Sequence, residues 1–235
     1  MNKGTLYLLP ATLADGSVEA VLPEGTLAVI RRLEYFIVEE LRTARRFLIK
    51  AGIQKTIDEL NFQLFNEHSG EKDIHEYLVP AMNGHDTGLL SEAGVPCVAD
   101  PGSLVVRAAH ELGIRIVPLT GPSSILLALM ASGFNGQNFA FVGYLPADKI
   151  LRTKRIKELE KVIQEKDQTQ IFIETPYRNL QLFESLVSVC RPDVQLCLAT
   201  DISGVNEVIH SYSVGEWRKK KPDIHKKPTI FLLYR

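Results

Sequence analysis

The chain has 235 residues, enough for one large α/β domain or for two domains that each bury a core. Its 45% hydrophobic and 23% charged residues, with no extended polar tract, exclude a disordered protein. A formal charge of -1 excludes a global attraction to nucleic acid, so any RNA contact must rest on local clusters of Lys and Arg.

In chain order, short apolar runs alternate with segments of helical period, the pattern of βα units around a largely parallel sheet. Strands are predicted at 5–9, 35–39, 61–65, 88–91 and 115–119, and helices at 24–33, 43–51, 74–82 and 104–112. Gly52 and Gly113 stand where two of these helices would end. The second half begins with a helix at 123–131, a strand at 139–143, a charged helix at 152–165 and a strand at 170–174. After a helix at 178–189 come strand-like runs at 195–200, 207–214 and 228–234, with little helix between them, so antiparallel pairing is expected there. This change of topology, rather than any linker or repeat, suggests two α/β domains, 1–119 with a mainly parallel sheet and 120–235 with a mixed sheet.

Cys97, Cys190 and Cys197 form no Cys-x-x-Cys pair and have no His at zinc-ligand spacing, so reduced thiols, no metal and a cytoplasmic location are expected. Pro10 stops the opening apolar run short of signal-peptide length. No apolar stretch approaches the roughly 20 residues that span a bilayer, which predicts a soluble protein.

Three strand exits share a form: Ala99-Asp100-Pro101-Gly102-Ser103, Leu119-Thr120-Gly121-Pro122-Ser123 and Glu174-Thr175-Pro176-Tyr177-Arg178. Each sets a residue able to cap, and a proline, ahead of a helix, and helix capping alone would account for any one of them. Together they line the carboxyl ends of strands, where open α/β sheets bind ligands. The run from Ser91 to Gly102 is too long for a minimal turn, and Gly94 and Gly102 permit close approach or unusual φ while Pro96 and Pro101 stiffen it. Neither G-x-x-x-x-G-K-[ST] nor G-x-G-x-x-G is present, which removes most support for a P-loop kinase or an ordinary nicotinamide enzyme.

These segments, with Leu6-Tyr7-Leu8-Leu9-Pro10, Glu39-Glu40-Leu41-Arg42, Ala131-Ser132-Gly133-Phe134 and Val142-Gly143-Tyr144-Leu145-Pro146, resemble in order the ribosomal small-subunit RNA ribose-2′-O-methyltransferases of the tetrapyrrole methylase superfamily. The match runs over about residues 5–180. The resemblance implies two domains with a cofactor cleft between them, a homodimer, and S-adenosylmethionine as cofactor. It assigns cofactor contacts to Pro10, Ala93, Gly94, Val98, Asp100, Pro101, Gly102, Thr120, Gly121, Ser123, Leu145 and Pro176. RNA, or the ribosomal small subunit, is the implied partner.

The chain departs from the family in three places. A Thr-Pro-Ile-Gly-Asn loop is Ala11-Thr12-Leu13-Ala14-Asp15 here, Glu-Asp-Thr-Arg is Glu39-Glu40-Leu41-Arg42, and Arg-Glu-Leu-Thr-Lys is Thr200-Asp201-Ile202-Ser203-Gly204. These changes bear on the acceptor more than on the cofactor. The candidate catalytic residues are Glu39, Glu40 and Arg42, with either carboxylate as base and Arg42 orienting a carboxylate or a phosphate; solvated acids beside a helix-start salt bridge are the plain alternative. Glu67 and His68 are further candidates after the third strand. Basic clusters occur at Arg42, Arg45 and Arg46, at Arg152, Lys154, Arg155 and Lys157, and at 218–221 with Lys226 and Lys227, while Trp217, Tyr144 and Tyr177 are candidates for base stacking. Methylation of a small molecule such as a tetrapyrrole, and a non-catalytic cofactor-binding module, remain open at this stage.

Overall fold

A computed structural model describes residues 2–66, 69 and 71–235. The chain divides into two compact units, Met1–Ser123 and Ser124–Arg235.

The first unit is a parallel sheet of β1 (Thr5–Leu9), β2 (Tyr35–Val38), β3 (Asn61–Leu64), β4 (Thr87–Leu90) and β5 (Arg115–Pro118), in the order β3-β2-β4-β1-β5. Thr87, Gly88, Leu89 and Leu90 of β4 are all buried because strands pair on both sides and helices cover both faces. The helices α1 (Glu24–Arg32) and α2 (Leu41–Lys50) cover one face, where Leu27, Ile30, Phe47 and Leu48 meet Leu9, Phe36 and Leu90. A 3-10 helix at Glu71–Leu78, the short α3 (Val79–Met82) and α4 (Gly102–Glu111) cover the other, with Leu78, Val105 and Ala109 against Leu6, Ile37 and Leu89. The chain leaves β2 outward toward β3 on the first face and leaves β4 the opposite way toward β5 on the second. The adjacent carboxyl ends of β2 and β4 therefore flank the crevice that doubly wound sheets form at a topological switch.

The second unit begins with α5 (Ser124–Ser132) and has a mixed sheet of β6 (Phe139–Tyr144), β7 (Thr169–Ile173), β8 (Gln195–Thr200), β9 (Val208–Ser213) and β10 (Thr229–Tyr234), in the order β6-β7-β10-β8-β9. β6 and β7 are parallel; β10 runs antiparallel to β7 and β8, and β9 to β8, as the sparse helix in that stretch predicts. The helices α6 (Lys149–Lys166) and α7 (Asn179–Val189) and the short α8 (Val214–Trp217) pack on one core with Ile156, Leu159, Leu182, Leu186, Phe172, Phe231 and Trp217. Asp148 caps α6 by accepting the Ile150 and Leu151 N–H groups, each at 2.9 Å.

The predicted helix over 74–82 is mostly 3-10, and α8 lies in a stretch read from sequence as strand and basic loop. Its start is a capping box, Ser213 with Glu216 three residues on, which the strand periodicity of 207–214 masks. No helix among the described residues is long and apolar enough to cross a membrane.

Candidate functional site

Glu39 directly follows β2 at the switch crevice and is partly buried. Burial, reinforced by the nearby charges of Asp100 and Glu92, pushes its carboxyl up to about 7, against a hydrogen bond from the Glu92 backbone N–H. Glu40 is engaged otherwise: its Oε1 accepts the Arg42 N–H at 2.9 Å, and its Oε2 accepts the Thr43 N–H at 2.6 Å and the Thr43 hydroxyl at 2.8 Å. These bonds cap α2 and hold the Glu40 carboxyl below its ordinary range. Arg42 is exposed in the first turn of α2 and has no ion-pair partner among the described residues. Two neighbours on one chain thus differ in protonation, and only Glu39 is poised near neutrality.

Across the crevice, Ser91 directly follows β4. It is 8% exposed and its Oγ has no hydrogen-bond partner among the described residues, an unusual state for a buried hydroxyl. Val38, Glu39, Leu90 and Ser91 line two adjoining cavities of about 10 Å³ each, the lower limit for one water molecule. Sequence reasoning passed over Ser91 and Glu92 as active groups. Their position after a buried strand was legible, but their adjacency to Glu39 depends on the β2-β4 pairing, which no local pattern encodes.

The run from Ser91 to Gly102 is organised by Asp100. Its Oδ2 accepts the Cys97 N–H at 2.8 Å and its Oδ1 accepts the Gly102 N–H at 2.7 Å, at the start of α4. Burial raises its carboxyl although both bonds favour the charged form. Gly94, Cys97 and Ala99 all have positive φ, 71°, 68° and 62°, a strained conformation for the two residues that carry a Cβ. A Cβ on Gly102 would lie 2.8 Å from Asp100 Oδ1, so glycine there serves the loop's own closure. Val98 is 45% exposed between the two strained residues, an apolar side chain that folding leaves uncovered.

The loops after β1, β4 and β5 are joined. The Ala11 N–H donates to Gly94 O at 2.8 Å, and the Thr26 hydroxyl donates to Thr120 O at 2.9 Å. A Cβ on Gly121 would overlap Pro10 Cβ and Cγ, which makes glycine obligatory. Pro10, Gly94, Thr120 and Gly121 thus share one backbone surface beside the loop of Ala93, Val98, Asp100, Pro101 and Gly102, with Ser123 at the end of the same unit. Leu145 and Pro176 belong to the second unit. Leu145 is 3% exposed in its core, and the Pro176 carbonyl accepts the Lys226 N–H at 3.1 Å.

Other candidates are structural. Glu174 is buried, with Oε1 accepting from the Thr175 N–H at 2.6 Å and from Arg178 Nη2 at 2.6 Å. Arg152 is 2% exposed and donates to the Ala147 carbonyl and the Ser185 hydroxyl, which withdraws it from any RNA-facing cluster. Trp217 is 3% exposed with its indole N–H on Leu196 O, so it cannot stack on a base, whereas Tyr144 and Tyr177 are exposed. Burial pushes the Cys97 and Cys190 thiols up to about 12 and Cys197 to about 11, which keeps all three protonated and unreactive. Glu67 and His68 lie outside the described residues.

No protein-family model matches the chain. It is 30% identical over 216 residues to the ribosomal RNA small subunit methyltransferase I of Pseudomonas aeruginosa strain PAO1, covering 92% of this chain and 72% of that one. It is 29% identical over 237 residues to the protein of the same name from Escherichia coli O157:H7, covering 99% and 78%. Among solved structures, the methyltransferase CobJ matches with a TM-score of 0.65 at 17% identity, over 99% of this chain and 94% of that one. The uroporphyrin-III-C-methyltransferase from Thermus thermophilus matches with a TM-score of 0.61, also at 17% identity and the same coverage. At such identity these two establish the fold.

Proposed function

The chain belongs to the ribosomal RNA small subunit methyltransferase I family, and on that footing we propose that it transfers the methyl group of S-adenosylmethionine to a ribose 2′-hydroxyl of small-subunit ribosomal RNA. The observation that carries this reading is Glu39, a partly buried carboxylate held at about 7 beside the switch crevice. Its surroundings bring its protonation change near neutral pH, as a general base for this reaction requires.

Pro10, Ala93, Gly94, Val98, Asp100, Pro101, Gly102, Thr120, Gly121 and Ser123 would hold the cofactor. They fit such a group: small residues, exposed apolar Val98 and a strained backbone fixed from beneath by Asp100 suit an adenosine and a methionine chain. Leu145 and Pro176 are assigned to it by resemblance alone. The bound sulfonium supplies an electrophilic methyl group and needs no further activation.

Glu39, when ionised, accepts the proton that the ribose hydroxyl releases as it attacks. Arg42, exposed and without an ion-pair partner among the described residues, is suited to a neighbouring RNA phosphate. Glu40 acts as a positioning residue: capping α2 fixes the turn that carries Arg42. Alignment of the hydroxyl with the methyl group is the enzyme's main contribution, worth about 7–11 kcal/mol when reacting atoms are held near contact distance. The enzyme works as a cytoplasmic homodimer in this reading, as the resemblance implies.

The test is transfer of a tritiated methyl group from S-adenosylmethionine to purified small ribosomal subunits lacking their native methylation. Label that appears in the RNA and resists base removal but is released with 2′-O-methylated nucleosides supports the reading. Cofactor binding without transfer to RNA would overturn the acceptor, and failure to bind S-adenosylmethionine or its demethylated product would overturn the activity.

A further inference from the structure

The second unit contains a groove of about 320 Å³ between β8, β9 and the segment that follows α8, within the ~300–1,000 Å³ range of small-ligand sites. None of the candidate catalytic or cofactor residues lines it. Along its floor, His210 and Tyr212 lie on the same face of the edge strand β9, their rings 5.5 Å apart. Tyr212 rests edge-on against buried Trp217 at 5.0 Å, and the Trp217 indole is tied to Leu196 O at 2.8 Å. The aromatic floor is therefore anchored to the core.

The facing wall is positive. Lys220 and Lys221 are exposed, and Lys220 Nζ stands 4.4 Å from the Tyr212 ring centre. Lys227 is paired with Asp223 at 2.6 Å, so the cations of the lining without an ion pair among the described residues are Lys220 and Lys221. The wall is also fixed: buried Asn179 donates from one side-chain nitrogen to Ile224 O at 3.1 Å and Lys227 O at 2.7 Å. At the far end Asn206 offers a side-chain amide that makes no hydrogen bond among the described residues.

We propose that this groove binds one nucleotide of single-stranded RNA, with the base on His210 and Tyr212, its phosphate on Lys220 and Lys221, and its polar edge toward Asn206. A stacking platform beside paired ammonium groups is how proteins hold single-stranded nucleic acid, because the aromatic faces take the base and the cations the backbone. An acidic peptide would use the lysines and leave the aromatic floor idle. The preformed floor and wall limit the ordering that binding requires. The proposal rests on the reading that the acceptor is RNA, and adds a site that grips the strand away from the reacting nucleotide.

The test is fluorescence anisotropy of the full chain with a fluorescein-labelled single-stranded RNA of mixed sequence, over a range of salt concentrations. Lys220→Glu with Lys221→Glu should weaken binding about tenfold or more and reduce the slope of log Kd against log salt by about 0.7, the loss of one neutralised phosphate. His210→Ala should weaken binding roughly fivefold or more with the salt slope unchanged. Both substitutions are at exposed positions, and calorimetric titration with S-adenosylmethionine should be unaltered in both. Wild-type affinity in the lysine variant, or an effect of the lysines with none of His210, overturns the nucleotide site while methyl transfer to subunits continues. A wild-type chain that neither binds RNA nor methylates subunits overturns the functional reading beneath it.

Discussion

The carboxylate cluster at the ends of β2 and β4 turns the pH dependence of methyl transfer into a test of Glu39. A base that titrates at about 7 is ionised in about a tenth of molecules at pH 6 and about nine tenths at pH 8, so kcat/KM should rise about tenfold between them and then level. Glu40 cannot produce that limb, because its hydrogen bonds to the Arg42 and Thr43 N–H groups keep it ionised throughout. Glu39→Gln should lower the plateau by about 10²–10⁴-fold and abolish the limb. Glu92→Gln removes one of the two negative charges that raise Glu39 but keeps the backbone N–H that bonds it, so the limb should move to lower pH with the plateau intact. The assay is tritiated methyl transfer to small ribosomal subunits at constant ionic strength, since salt alone would change RNA binding. A flat wild-type profile from pH 6 to 8, or a Glu39→Gln variant that keeps both rate and limb, refutes the assignment. The stability of the first unit carries its own signature of the same group. With the folded carboxyl raised from 4.5 to about 7, its contribution is fully present below pH 4.5 and is lost as pH rises through 7.

Three other substitutions probe the scaffold. Gly121→Ala drives a methyl group into Pro10 and should cost about 1–3 kcal/mol of stability while weakening cofactor binding, measured by thermal unfolding and by calorimetry with S-adenosylhomocysteine. Unchanged unfolding would mean that the loops after β1 and β5 are looser than their contact implies. Asp100→Asn leaves one of the Cys97 and Gly102 N–H groups without its acceptor, at about 1–3 kcal/mol, and should reduce cofactor affinity more than tenfold; normal affinity would separate the loop's geometry from binding. Glu174→Ala strips the Thr175 N–H and Arg178 of their shared acceptor, and because Arg178 is 38% exposed the expected loss is about 2 kcal/mol, below that of a fully buried pair. A loss under about 0.5 kcal/mol in urea unfolding would show that water replaces it.

Much of the fold was legible because its signals are local. The short apolar runs at Thr5–Leu9 and Gln195–Thr200, and glycines at 52 and 113 with φ of 77° and 60°, mark elements that tertiary contacts did not shift. The segment at 71–82 was less so, since its apolar spacing suits a 3-10 turn as well as an α-helix, and Pro80 limits α-helical continuation. The candidate site was legible as a set of strand exits but not as a charge cluster. Nothing in Glu39, Glu92 and Asp100 as separate residues announces that pairing of β2 with β4 sets them within each other's field. Equally, Glu39 and Glu40 are indistinguishable in sequence; the difference arises because Glu40 occupies the N-cap position and Glu39 the strand end.

The three departures from the family pattern each have a local structural role here. Asp15 forms an ion pair with Lys50 at 2.9 Å. Leu41 packs against the first unit's core at the start of α2, with Glu40 supplying the cap. In the last segment Asp201 and Ser203 take φ of 52° and 65°, and Asp201 accepts the Asn206 N–H at 3.2 Å while Glu207 accepts the Ser203 N–H at 2.7 Å. This segment is a self-bonded turn in which acidic side chains satisfy the backbone. Lys220 and Lys221 stand on the wall of a groove that Thr200 and Asn206 also line, so positive charge stands beside this turn. The salt dependence of RNA binding should therefore follow Lys220 and Lys221 rather than any residue of 200–204, and substituting Asp201 should change the turn's stability without changing that slope.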